Sequence, residues 1–141
     1  MTIVFDMDNT LVDEFGATVR PGMRALLNRL KKENHVLVLW TNSTRNRALS
    51  IMNDHDLRQF FTLMIFRENY DPQNRGLNKD IRKVKGDMLI DDDPSEISYM
   101  KSIKKKGFEI MPFRKGGTPD KRELTKLYSI IKSSGKKIFG T

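Results

Sequence analysis

The sequence predicts an α/β protein in three layers: a parallel sheet of about five strands with helices on both faces. Three observations carry this. Five short apolar runs recur along the 141 residues. The runs lack the polar alternation of half-exposed strands, as expected for strands buried on both sides. Helical periodicities separate them, and alternating strand and helix signals imply parallel pairing through right-handed crossovers. A chain of this length is expected to form one domain with its own core.

The elements follow in order. Residues 3–6 form the first strand. The next stretch, residues 11–20, is too short for a crossover helix, and Phe15-Gly16 suits the turn of a small flap hairpin. Pro21 opens a helix with Met23, Leu26, Leu27 and Leu30 at i, i+3, i+4 and i+7. Residues 36–41 are the second strand. Residues 44–57 follow as a helix with Ala48, Ile51 and Met52 inward, and Trp40 just before it reads as core packing. Residues 64–67 form the third strand, residues 78–84 a short helix and residues 87–91 the fourth strand. Asp93 caps a helix over residues 94–105 that turns Ile97, Met100 and Ile103 inward. Residues 108–113 are the fifth strand. Thr118-Pro119 opens the last helix, with Leu124, Leu127, Tyr128 and Ile131 at helical spacing. Residues 1–135 then form a single domain, and residues 136–141 a flexible basic tail. The connections at 11–20 and 67–79 leave no room for a cap domain.

Composition narrows the class. No apolar run approaches the roughly 20 residues of a membrane span. The N-terminus lacks the basic and long apolar regions of a signal peptide, so a cytoplasmic protein without a membrane association is expected. The absence of cysteine excludes a disulfide framework and a thiolate zinc site. The net charge of +8 is uneven: residues 101–141 hold 12 Lys and Arg against 3 Asp and Glu. That basic third is a place for an anionic partner such as nucleic acid, or a solvated face.

In an open parallel sheet, ligands bind at the carboxyl ends of the strands. The first strand delivers Asp6 and Asp8, which strand periodicity turns to the same side. The second delivers Thr41, Asn42 and Ser43. Lys79 precedes the fourth strand, which ends in Asp91, Asp92 and Asp93. Two carboxylates this close repel one another, and burying them costs several kcal/mol without compensation. A divalent cation supplies that compensation, and hard oxygen donors suit Mg²⁺. The set is a kit for phosphoryl transfer: a carboxylate nucleophile, a second carboxyl group for proton transfer, and a lysine and a hydroxyl for phosphate oxygens. His35 and His55 are isolated and take no part. Arg45 and Arg47 stand either near a leaving group or on exposed helix surface.

Asp6-Met7-Asp8-Asn9-Thr10 resembles the DxDxT signature of the haloacid dehalogenase (HAD) superfamily phosphatases, whose core is Rossmann-like. Thr41, Lys79 and Asp91-Asp92 resemble their remaining three motifs, in order, and the resemblance runs to about Phe113. Arg20-Pro21-Gly22, Phe66-Arg67-Glu68, Asn78-Lys79-Asp80-Ile81 and Ile90-Asp91-Asp92-Asp93-Pro94 resemble the FCP/SCP-like C-terminal-domain phosphatases, which act on phosphoserine in proteins. The chain has little room for that branch's additional strands.

The resemblance implies roles for individual residues. Asp6 would be the nucleophile and a Mg²⁺ ligand. Asp8 would be the general acid/base and would ligate the metal through its backbone carbonyl. Asp91 would bind the metal directly, and Asp92 through water or by orienting the site. Thr41 and Lys79 would bind phosphate, with Asn42 helping at the start of the following helix.

The expected activity is Mg²⁺-dependent phosphomonoester hydrolysis through an aspartyl-phosphate. A capless, open site fits a phosphoprotein or another bulky phosphate. The alternatives are a nucleotide or nucleic-acid end phosphatase, suggested by the basic C-terminal third, and a non-catalytic phosphate- or nucleic-acid-binding protein. A mutase would need a cap to exclude water, and Asp8 favours phosphoryl chemistry over dehalogenation. The sequence leaves the oligomeric state open.

Overall fold

The computed structural model describes the backbone of residues 1–139 and the side chains of residues 1–135. Five parallel strands, β1 (Thr2–Phe5), β2 (Val36–Trp40), β3 (Leu63–Ile65), β4 (Met88–Asp91) and β5 (Lys106–Glu109), lie in the order β3-β2-β1-β4-β5. The chain moves outward from β1 to β3, then returns to the other side of β1 for β4 and β5. Neighbouring β1 and β4 therefore have connections running in opposite directions, and the crevice at their carboxyl ends is the switch point where such sheets bind ligands.

Alternate strand residues feed two cores. Ile3, Phe5 and Met7, with Leu37, Leu39, Met88 and Ile90, pack under α1 (Met23–Lys32), α2 (Arg45–Asp54) and the long α5 (Arg122–Phe139). Val4, Val38, Trp40 and Leu89 face the other way, against Ile81 and Met100. Met100 belongs to α4 (Pro94–Ser102), and Ile81 to a 3₁₀ turn over Ile81–Val84. Trp40 is buried edge-to-face on Tyr70, at 5.3 Å between ring centroids. Tyr70 closes α3 (Arg67–Tyr70), the short helix after β3. Register sets the working end: Phe5 pairs with both Leu39 and Ile90, and Trp40 with Ile65. Asp6 and Thr41 extend these ladders by one bond each, Asp6 N–H to Ile90 O and Thr41 N–H to Ile65 O, both at 3.0 Å.

The flap forms as a tight loop. Val12 bridges antiparallel to Val19, and Arg20 N–H donates to Leu11 O. The Asp13 carboxylate accepts from Phe15 and Ala17 N–H, both at 2.9 Å, which closes the turn. Gly16 sits at φ +69°, where a Cβ would lie 2.4 Å from Ile51 Cδ1. Both the backbone angle and the close packing on α2 demand glycine there.

Some boundaries differ from the sequence expectation. The fifth strand lies at Lys106–Glu109 rather than 108–113. As an edge strand it needs no continuous apolar run, and Lys106 and Gly107 are exposed. The apolar residues after it leave the sheet instead, and Phe113 N–H donates to Asn9 O at 2.8 Å, tethering that segment to the loop after β1. The helix expected at 78–84 is a 3₁₀ turn, with Asp80 accepting from Arg82 N–H. α3 has no counterpart in the expectation, because four residues are too few to show a helical period. α5 is helical to Phe139, so the proposed tail at 136–141 overlaps its last turn, and residues 140–141 lie outside the described structure. No helix among the described residues is long and apolar enough to cross a membrane.

Candidate active site

The seven residues singled out by the sequence, Asp6, Asp8, Thr41, Asn42, Lys79, Asp91 and Asp92, all line one open cleft of about 820 Å³. At its floor the Lys79 Nζ donates to Asp6 Oδ1 at 2.9 Å and to Asp91 Oδ2 at 2.7 Å. All three side chains are nearly withdrawn from solvent, and Lys79 as a residue is 4% exposed. The free oxygen of Asp6 accepts from Thr10 Oγ1 at 3.2 Å, and that of Asp91 from Asp93 N–H at 3.0 Å. Thr41, also buried, accepts from Ser43 N–H at 3.0 Å, shaping the turn into α2. Asn42 is exposed, with its carbonyl held by Arg67 Nε at 2.9 Å. Asp93 caps α4 through Ser95 N–H, as expected.

Charge at the floor is unbalanced. Oxygens of Asp6, Asp91 and Asp92 lie within 4.8 Å of one another. Burial pushes Asp6 up to about 6 despite the pull of Lys79. Burial, and then the neighbouring Asp6, likewise push Asp91 up to about 6, and burial also raises Asp92. Burial alone would lower the Lys79 ammonium, but Asp6 and Asp91 outweigh it and hold the amine above its usual range. Lys79 thus stays charged, and one cation faces three carboxylates. The donors are all oxygen and already converge, which fits a hard divalent cation such as Mg²⁺.

Asp8 lies toward the rim, and both its oxygens are taken by Arg47: Nη1 to Oδ2 and Nη2 to Oδ1, each at 2.9 Å. Arg47 is exposed on α2, and its side chain also lines the cleft.

Supporting residues escaped the sequence reading. Glu96 on α4 accepts from Lys79 N–H and from Asn78 Nδ2, fixing the backbone that carries Lys79. Asp71 accepts from the N–H groups of Arg75, Gly76 and Leu77 at 2.8–3.1 Å, coiling the loop leading to Lys79. Arg20, 1% exposed, donates to Thr10 O at 2.7 Å, to Asn9 O at 2.8 Å and to Met111 O. It pins the turn after Asp8, where Asn9 sits at φ +64°. The only sequence signal for Asp71 is the turn-forming run Pro72-Gln73-Asn74-Arg75-Gly76 behind it.

Solved structures share this fold. A hydrolase from Streptococcus pneumoniae TIGR4 matches with a TM-score of 0.67 at 10% identity, over 93% of this chain and 97% of that one. A HAD-superfamily hydrolase from Ehrlichia chaffeensis matches with a TM-score of 0.59 at 14% identity, over 78% and 86%. A chain of the Pnkp1/Rnl/Hen1 RNA repair complex matches with a TM-score of 0.62 at 14% identity, over 79% of this chain and 42% of that one. At such identities the likeness establishes the fold alone. No curated protein matches in sequence. The family model of the NLI interacting factor-like phosphatases matches residues 1–138. With nearly the whole chain matched, the protein belongs to that FCP/SCP-like family of HAD phosphatases.

Proposed function

We propose that this phosphatase is a single capless catalytic domain that hydrolyses phosphomonoesters through an aspartyl-phosphate on Asp6, with Mg²⁺ as cofactor. The observation that supports it most is the Lys79 ammonium, buried and bridging Asp6 and Asp91 at the carboxyl ends of β1 and β4. A cation there serves both to hold the nucleophile and to receive phosphate oxygens.

Asp6 and Asp91, with the Asp8 carbonyl and Asp92 through water, would hold Mg²⁺, which when bound offsets the repulsion between carboxylate and phosphate. Thr41, Lys79 and Asn42 bind the phosphate. An Asp6 oxygen attacks phosphorus, the bond to the leaving oxygen breaks, and Asp8 gives that oxygen its proton. Asp8 then takes a proton from water as the water attacks phosphorus. Inorganic phosphate leaves and Asp6 is regenerated. The open cleft supports a phosphoprotein or another bulky phosphate as substrate, and a chain without cysteine is compatible with the cytoplasm.

Hydrolysis of a generic aryl phosphate tests this. Turnover should require Mg²⁺ and stop in excess chelator; an unchanged rate in chelator would contradict the metal assignment. Borohydride trapping of the quenched reaction should convert Asp6 to homoserine, and labelling of a different aspartate would move the nucleophile.

A second reading, a nucleic-acid end phosphatase, draws support from Arg47, Arg67 and Arg114 along the cleft and from the fold likeness to a chain of an RNA repair complex.

A further inference from the structure

Arg47 is placed where the proposed chemistry gives it no task. The phosphate already has Thr41 and Lys79, and Arg47, a cation, ligates no metal. Yet the guanidinium reaches from the first turn of α2 into the cleft and takes both oxygens of Asp8 at 2.9 Å. An exposed arginine–carboxylate pair does little for stability, and the Arg47 side chain is 40% exposed. The pair also conflicts with the reaction. Paired to Arg47 through both oxygens, Asp8 is held as a carboxylate, which has no proton to give a leaving oxygen, so the pair must part for Asp8 to act as the acid.

Arg47 does not collapse when Asp8 lets go. Its Nη1 also donates to Ser43 Oγ at 3.0 Å, and its Nη2 to Glu14 O at 3.4 Å. Those bonds, one from the β2–α2 turn and one from the flap, hold the guanidinium over the cleft. Resting on the proposed role of Asp8 at the leaving oxygen, the geometry points to Arg47 as the specificity residue for the leaving group. It binds a second anion carried there, and in the structure Asp8 takes that anion's place on the guanidinium. The substrate class is a phosphomonoester whose leaving group bears its own negative charge. Substrate binding exchanges one anion for another on Arg47, and the released Asp8 carboxylate takes up a proton from solvent that it then passes to the leaving oxygen. Arg114, within 3.7 Å of the Glu14 carboxylate and also lining the cleft, adds positive charge on this side.

The test uses two small probes, 4-carboxyphenyl phosphate and its uncharged 4-carbamoylphenyl counterpart. Affinities are measured for the Asp6→Asn protein, which holds the ester without turnover, with and without Arg47→Gln. Arg47→Gln frees Asp8 equally for both probes, so the ratio of affinities isolates recognition of the second charge. The ratio should favour the carboxylate and fall by about tenfold or more in Arg47→Gln. Arg47→Lys should restore part of it, since charge returns without the paired donors. An identical ratio with and without Arg47 overturns the inference. Charge-dependent binding without turnover by the native chain keeps Arg47 as the anion receptor and overturns the hydrolytic mechanism. Binding of neither probe overturns both.

Discussion

Lys79 is the residue on which the electrostatics of the floor turn. Its ammonium contacts Asp6 and Asp91, and both carboxylates are otherwise shielded from water. Removing it leaves buried anions without a counter-charge, and breaking a buried pair in this way costs about 3–5 kcal/mol. Lys79→Met should lower metal-free stability by that order in chemical denaturation and reduce kcat/KM at least a hundredfold. A variant with native stability and kinetics would show that Lys79 is not the phosphate-binding cation.

The raised carboxylates give the opposite sign. In the metal-free protein, Asp6 and Asp91 titrate near 6, against an ordinary aspartate value of 3.8. A raised acid contributes stability below the unfolded value, and that contribution is lost as pH rises through about 6. Above pH 7 the site is therefore under repulsion. Asp91→Asn should raise the metal-free Tm at pH 7.5, with a gain on the order of 1–3 kcal/mol that shrinks toward pH 4. Mg²⁺ should stabilise the native protein at pH 7.5 and much less at pH 5. A metal-free Asp91→Asn protein less stable than the native chain at pH 7.5 would contradict this balance.

At the scale of elements, the loop between α3 and β4 presents Lys79 through two carboxylates. Burial raises the Asp71 carboxyl, but the Arg75, Leu77 and Gly76 N–H groups outweigh it and hold it below its usual range. A lowered acid stabilises above the unfolded value, and the benefit disappears as pH falls through the folded one. Asp71→Asn should flatten the acid limb of the stability curve below about pH 4 and raise KM more than it lowers kcat. An unaltered acid limb would show that the loop is held by other bonds.

This layer was the least legible in the sequence. The strand ends and their motifs brought Asp6, Thr41, Lys79 and Asp91 together on paper, because parallel topology alone aligns the carboxyl ends. Asp71 and Glu96 could not be read that way: their partners are loop N–H groups, with the Asn78 amide beside them at Glu96, whose positions exist only after the loop folds. Arg20 was quoted within Arg20-Pro21-Gly22, but its carbonyl partners include Met111, 91 residues away. The fifth strand slipped for a related reason. Apolar periodicity marks burial, and past β5 buried Ile110 adds one last ladder bond, its N–H to Asp91 O, before buried Phe113 lies outside the sheet.

At the scale of the molecule, the positive charge belongs to the C-terminal third, whereas the acids proposed for catalysis lie in the first two-thirds. The two readings of substrate respond differently to salt. Hydrolysis of a small phosphomonoester should change little between 50 and 200 mM salt, whereas nucleic-acid binding should fall steeply, by about 10³-fold or more if six or more phosphates are contacted. Tight, salt-sensitive binding of 5′-phosphorylated oligonucleotides with matching turnover would favour the nucleic-acid end reading over a phosphoprotein. Weak binding with turnover of phosphopeptides would favour the reverse.

The nucleophile is the central claim, and one comparison addresses it most directly: hydrolysis of an aryl phosphate with Mg²⁺ by the native chain and by Asp6→Asn. The substitution is nearly isosteric and relieves repulsion, so the variant should fold and bind phosphate. Its turnover should fall by about 10³-fold or more, the loss of a covalent route that spares the fold. Substantial residual turnover in a folded Asp6→Asn protein would place the nucleophile elsewhere.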